Sequence, residues 1–281
     1  MPSEKRARQR RLRDERRAAE QQRAKRRRGY RRVVLAIIVA GAVVGLVALL
    51  SGNHPKKPAS SASKTTTTVA NTTLEATTAN GTIPAVTAST PACPPASGAA
   101  KRLTSFKAYP ALCVAKTGIY DATVQTDVGV FVIQMHAASS LLAVNNFVFL
   151  ARYHFFDGIV FHRVIPGFVV QGGDPTGTGS GGPGYSWTGN TPTTACEKAG
   201  CYPPGSVAMA NSTGPSSNSS QFFIVLPGGG SQFTGKPLYT LFGTVISGMS
   251  VVDKIGADGA SSGVPKVLHK MEKVTITQVS Q

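Results

Sequence analysis

Eighteen consecutive uncharged residues, VVLAIIVAGAVVGLVALL, run from Val33 to Leu50. As a helix at ~1.5 Å rise per residue, such a stretch is about long enough to cross the hydrocarbon core of a bilayer. The residues before it are strongly basic. Of the chain's 30 Lys and Arg, 15 lie in residues 1–32, against only Glu4, Asp14, Glu15 and Glu20, so the tail carries most of the net charge of +17. Lys and Arg are retained on the cytoplasmic side, so this order predicts a cytoplasmic N-terminus and a translocated remainder. Topology accounts for the charge, and nucleic acid, the other partner that clustered Lys and Arg suggest, is not expected. A cleavable signal peptide has a similar plan, with an apolar core of usually ~7–15 residues. The core here is longer, and LVALLSGNHPKK offers no clean small-x-small site. The segment 33–50 therefore reads as an uncleaved signal anchor in the cell membrane.

Residues 51–92 are rich in Ser, Thr, Ala and Pro and nearly free of large apolar side chains. Such a composition cannot bury enough surface to offset its ordering entropy. A disordered tether of that length has an r.m.s. span of roughly 35–40 Å and would lift a domain off the membrane. Asn71 and Asn80 sit in N-x-T sequons, a weak hint of modification. All four cysteines, Cys93, Cys113, Cys196 and Cys201, follow the span. In an oxidising compartment they read as two disulfides, and proximity favours Cys93–Cys113 and Cys196–Cys201. A four-Cys zinc site is the alternative, although no C-x-x-C knuckle is present.

From Tyr120 onward, apolar and polar positions alternate between frequent Gly and Pro. ATVQTDVGVFVIQM, residues 122–135, reads as a hairpin turning near Asp127–Gly129. SLLAVNNFVFLAR, residues 140–152, instead puts Val144, Phe147, Val148 and Ala151 on one helical face. Short β-like runs follow (IVFHRVI, VVQGG, SVAMAN, SQFFIVL, YTLFGTVI), then a second helix at Met249–Ile255 and a closing strand at Lys273–Val279. Many short strands with few helices predict a mainly β domain, a closed antiparallel barrel or a sandwich.

The densest chemistry lies in FHRVIPGFVVQGGDPTGTGSGGPGY, Phe161 to Tyr185. Gly177, Gly179 and Gly182 satisfy G-x-G-x-x-G, but a phosphate site needs a helix to begin at that loop, and PGYSW follows instead. TGSGGP around Ser180 is close to the nucleophile loop of chymotrypsin-like proteases, with His162 and Asp157 upstream. Gly179 stands where that loop has Asp, and the domain is too short for two barrels.

The whole stretch resembles the cyclophilin family of peptidyl-prolyl cis-trans isomerases, whose signature is FHR-x-x-PGF-x-x-QGGD before a Gly-rich loop. ATVQTDVGVFVIQ is similar to that family's first hairpin, AVNNFVFLA to its first helix, and SVAMANS, SQFFIVL and LFGTVISGM to later strands, over roughly residues 120–281 in family order. The resemblance implies a closed cyclophilin-like barrel of about eight strands with two capping helices, spanning residues 119–281. Residues 93–118 form a Cys-containing segment before it.

The same resemblance implies isomerisation of X-Pro bonds in extracytoplasmic polypeptides, assisting folding, with no cofactor and no metal. Arg163 matches the family's catalytic arginine and acts with Phe168 and Gln171. Phe168, Phe223 and Phe233, with Val169 at the edge and Tyr239 at the rim, would receive the proline ring. Gln171, Ala210, Asn211 and Gln221 would orient the substrate backbone. His162 reads as a hydrogen-bonded structural histidine and Asp174 as a brace for the glycine turn. Gln232 occupies the position of the indole that many members carry, and the single Trp, Trp187, lies elsewhere, which argues against cyclosporin binding. Tyr239 stands where a histidine is common, Thr234 replaces an Asp, and Pro237–Leu238 form a small insertion. A proline-peptide binding module or scaffold at the membrane surface is the competing function. The motifs and the anchor together suggest a bacterial envelope protein of actinobacterial type.

Overall fold

The computed structural model describes residues 77–78, 81–82, 84–191, 200–234 and 238–279. The basic tail, the apolar run 33–50, most of the tether and Cys196 lie outside these residues. No helix among the described residues is long and apolar enough to cross a membrane. Within the stretch read as tether, Thr77–Thr78 pairs with Gly81–Thr82 in a two-residue ladder.

The hairpin forms where the alternation predicts it. Strand β1 (Ile119–Thr126) buries Tyr120, Ala122, Val124 and Thr126, and β2 (Gly129–His136) buries Phe131, Ile133 and Met135. The Thr126 hydroxyl closes the turn by donating to the Gly129 carbonyl at 2.7 Å. Helix α1 (Leu141–Arg152) follows and is buried on every side. A helix covered all round needs neighbours on both faces. The sheet supplies one, and residues 92–115 supply the other.

The remaining strands are β3 (Arg163–Ile165), β4 (Val169–Gly172), β5 (Ser206–Met209), β6 (Phe222–Val225), β7 (Leu241–Ser247) and β8 (Met271–Val279), with α2 (Met249–Ala257) between the last two. They form one antiparallel sheet in the order β8-β1-β2-β7-β5-β6-β4-β3. The expected closed barrel is therefore open: β3 and β8 are its two edges, and closure is approached by an isolated bridge, Val160 to Lys270, with backbone hydrogen bonds such as Phe161 N–H to His269 O at 2.9 Å, without a continuous ladder. The reason lies at β3, which is only three residues long. Its outer groups are taken by the loop after α2, where Val164 N–H donates to Gly263 O at 2.9 Å and Ala260 N–H to Val164 O at 3.1 Å.

The sheet has two chemically distinct faces. Val164, Val170, Val207, Phe222 and Ile224 belong to the main core with α1 and α2. Val169, Ala208, Phe223 and Val225, one position out of phase, form a smaller cluster with Tyr202 and Phe233. A strand's period of two sends neighbouring side chains to opposite faces. Four short strands thus carry both a core and a site.

Candidate active site

The register of the sheet builds the site. Arg163 on β3 lies opposite Gln171 on β4, Gln171 opposite Phe223 on β6, and Phe223 opposite Ala208 on β5. Directly opposed residues share a face, so these side chains form one row across four strands. Phe168, just before β4, puts its ring centroid 5.7 Å from the Arg163 guanidinium carbon. That is within cation–π range of about 6 Å.

Phe233 sits at the end of a 3-10 turn, Gly229–Phe233, and its ring is the hub of an aromatic cluster, the place expected to receive the proline ring. Its centroid lies 5.1 Å from Phe168, 5.4 Å from Phe223 in a stacked arrangement, 5.0 Å from Tyr202 and 5.7 Å from Tyr239. Val169 and Leu241 complete the cluster. Tyr202 belongs to no sequence motif. It fixes the rim, donating to Tyr239 O at 2.7 Å and accepting from Tyr239 N–H at 3.1 Å. Burial pushes its phenol up to about 12, so it stays a neutral donor.

A relay of amides leads away from Arg163. The guanidinium donates to Gln171 Oε1 at 3.2 Å, Gln171 Nε2 to Gln221 Oε1 at 3.1 Å, and Gln221 Nε2 to the carbonyls of Gly179 and Gly181 at 3.1 and 2.9 Å. A guanidinium only donates, so it sets the orientation of both amides in turn. Arg163 forms no ion pair with any described carboxylate. Most of its five N–H groups remain available.

Beyond the relay lies a polar groove of about 840 Å³. It is lined by Gln171, Ala210, Asn211 and Gln221, by the backbone of Gly179–Gly182 with Tyr185, and by Ser217 and Ser219. Asn211 is held by donating to Leu238 O at 2.8 Å and accepting from Gly214 N–H at 3.2 Å. The ten residues expected at the site thus divide between two adjoining surfaces. Arg163, Phe168, Val169, Phe223, Phe233 and Tyr239 gather at the aromatic pocket, and the four amide and alanine positions face the groove.

Asp174 organises the glycine loop. Its Oδ1 accepts from Thr176 N–H at 2.7 Å and the Thr176 hydroxyl at 2.8 Å, and its Oδ2 accepts from Gly179 N–H at 2.6 Å and Gly181 N–H at 3.0 Å. Burial alone would raise its pKa, but these donors favour the anion and bring it down to about 2. A Cβ at Gly181 would overlap Asp174 Oδ1, which explains glycine there.

His162 departs from expectation. Among the described residues neither ring nitrogen has a hydrogen-bond partner, so it is not the hydrogen-bonded structural histidine that its position suggests. The ring packs against Gly179, but the polar groups of that loop are already committed to Asp174 and Gln221. Burial lowers its pKa, Asp174 opposes this and Arg163 adds to it, leaving a neutral ring.

Residues 122–280, more than half of the chain, match the family model for cyclophilin type peptidyl-prolyl cis-trans isomerase/CLD. The peptidyl-prolyl cis-trans isomerase ppi1 of Schizosaccharomyces pombe is 41% identical over 135 residues, which are 47% of this chain and 82% of that protein. The peptidyl-prolyl cis-trans isomerase-like 2 of Cryptococcus neoformans is 42% identical over 143 residues, 48% of this chain, and the match spans only 23% of that longer protein. A crystal structure of a cyclophilin type isomerase from Cryptosporidium parvum superposes with a TM-score of 0.50 at 26% identity, covering 58% of this chain and 99% of that one.

Proposed function

The chain belongs to the cyclophilin-type peptidyl-prolyl cis-trans isomerases, an enzyme family, and from that membership we propose that its domain turns X-Pro bonds of extracytoplasmic polypeptides, with Arg163 stabilising the twisted amide. Rotation about the bond faces a barrier of ~18–20 kcal/mol set by amide resonance. The reaction makes and breaks no covalent bond. The enzyme therefore has to bind the twisted amide more tightly than either planar form.

In the twisted state the proline nitrogen turns pyramidal and regains a lone pair. Arg163 is suited to meet it: a cationic fork of donors, steadied by Gln171 at 3.2 Å, poised over Phe168 and, among the described residues, without a carboxylate to neutralise it. This guanidinium, with no described carboxylate partner and set beside an aromatic cluster, is the observation that carries the reading. The proline ring enters the pocket around Phe233 and buries apolar area there. Gln171, Asn211, Gln221 and the Ala210 backbone hold the flanking chain.

Accelerated isomer exchange of a short Ala-Pro-Phe peptide, followed by NMR, is the expected result. Binding without acceleration would replace the enzyme by a proline-peptide binding module, for which Gln232 and Tyr239 at the rim would be the reason.

The extracytoplasmic site of action rests on the apolar run after a basic tail and on the cysteines. Cys93 and Cys113 are joined, and Cys201 is also disulfide-bonded. Disulfides persist in oxidising compartments. A phosphatase fused after Gln281 that folds only when exported should be active in cells, and an inactive fusion would place the domain in the cytoplasm.

A further inference from the structure

Residues 92–115 precede the part of the chain that matches the family, yet they are built into the wall of its groove. They run along α1 as a strap closed by the Cys93–Cys113 disulfide. At one end Tyr153 donates through its hydroxyl to Ala92 O at 3.2 Å, and Leu103 N–H donates to Tyr153 O at 3.0 Å. At the other end Asn145 on α1 accepts from Cys113 N–H at 2.6 Å and donates to Ala111 O at 3.0 Å.

Between these anchors the strap meets the groove. Phe106 N–H donates to Pro183 O at 2.7 Å, and Gly184, at φ 92°, leaves no room for a Cβ against Phe106 O. The Tyr109 ring packs on Tyr185 and Trp187 at 5.8 and 5.7 Å, and its hydroxyl donates to Leu142 O at 2.6 Å. Tyr185 in turn donates to Asn146 Oδ1 at 2.7 Å, while Asn146 Nδ2 holds Ser219 O at 2.8 Å. Gly184, Tyr185 and Ser219 all line the groove. Two adjacent asparagines of α1 therefore divide the work, Asn145 holding the strap and Asn146 the groove wall. The aromatic pocket and Arg163 share none of these contacts.

We propose that the disulfide-closed strap, through Phe106 and Tyr109, positions the outer wall of the groove and so sets how tightly long substrates bind, without touching the isomerisation step. Tyr109 is a positioning residue. The proposal rests on the isomerase reading for its consequence on catalysis, but not for its consequence on binding. Loosening the wall should penalise a peptide long enough to enter the groove and leave a minimal X-Pro peptide alone. The penalty is roughly tenfold, below the ~10²-fold that a 1 Å misplacement at the reacting centre brings.

The test uses the full chain and two peptides, Ala-Pro-Phe and a six-residue peptide with the same centre, each observed through its own NMR resonances for affinity and isomer exchange. Tyr109→Ala, and separately the pair Cys93→Ala and Cys113→Ala, should weaken six-residue binding by about tenfold while Ala-Pro-Phe exchange stays within about twofold. Tyr109→Phe, which keeps the ring on Tyr185 and Trp187, should restore the long peptide's affinity. Equal losses for both peptides in variants that still unfold cooperatively would overturn the proposal, as would unchanged long-peptide affinity. Should the unmodified protein bind both peptides and accelerate neither, the isomerase reading fails, and six-residue affinity still decides the strap. If the cysteine pair does not fold, the two Tyr109 variants give the answer.

Discussion

The aromatic pocket and the polar groove adjoin along Gln171 and Gln221, yet they are made in different ways. The first consists of side chains: three strands in register and one 3-10 turn converge Arg163, Phe168, Phe223 and Phe233. The groove's far wall is mostly backbone, from Gly179 to Gly184, ordered by one carboxylate and backed by the strap. A pocket built from side chains is altered by changing the residue that fills it. A wall built from backbone is altered by changing whatever holds the backbone, which lies elsewhere.

Phe233→Ala should show the first rule most strongly. The ring touches four other aromatics and is 4% exposed, so its loss should cost about 3–5 kcal/mol of stability and abolish proline affinity. Thermal unfolding and peptide titration measure the two effects. A stable variant that still binds proline would move the ring site away from Phe233.

Asp174→Asn probes the second rule. The change replaces an acceptor by a donor opposite the N–H groups of exposed Gly179 and half-buried Gly181, and losing hydrogen bonds to a charged acceptor should cost roughly 1.5–3 kcal/mol, toward the low end because water can replace them. A larger loss of groove affinity than of Ala-Pro-Phe exchange is the expected pattern, because the same glycines also anchor Gln221. Equal loss of both would merge the two regions into one. The sign of the pH dependence follows from the same contacts: the Asp174 pKa is depressed to about 2, so its stabilisation is present above the usual carboxylate range and fades as pH falls through about 2. The loop should therefore hold its amide protection at pH 4, as hydrogen exchange would show.

A smaller effect, outside both regions, comes from His269. Its ring bridges Asp127 at 2.8 Å and Asp258 at 2.9 Å, joining the β1–β2 turn to the loop that edges β3. Burial opposes the charge, but the two carboxylates raise the pKa overall. A raised histidine stabilises fully below its ordinary value of about 6.5 and loses that contribution as pH rises through the raised value. The unfolding temperature should drift down across this window, and His269→Gln should remove the drift. A drift of the opposite sign would mean that the ring is neutral when folded.

The difference between the two regions also explains what the sequence disclosed. Arg163, Phe168, Val169 and Gln171 fall in one short motif because a strand, a turn and a strand place them on one face, so type and spacing were enough to find them. Phe223 was found through similarity of a later strand, and Phe233 through the family resemblance alone. Tyr202 was not, since a lone tyrosine near a cysteine has no pattern, and only its contacts with Phe233 and Tyr239 reveal its role. The groove wall was legible as glycine-rich but not as a binding surface, because backbone groups carry no residue type. His162 misled for the same reason: the groups able to pair with it were already taken by Asp174 and Gln221. The open sheet edge escaped because local alternation says nothing about which loop reaches β3 first.

Arg163 is proposed to act on the twisted amide, and isomer exchange of Ala-Pro-Phe, followed by NMR with the unmodified chain and with Arg163→Ala, decides that role. The variant should bind the peptide with an affinity within a few-fold but lose about 10²–10³ of the acceleration, as removal of one donor at a developing charge does elsewhere. Exchange undiminished in a variant that binds normally would contradict it.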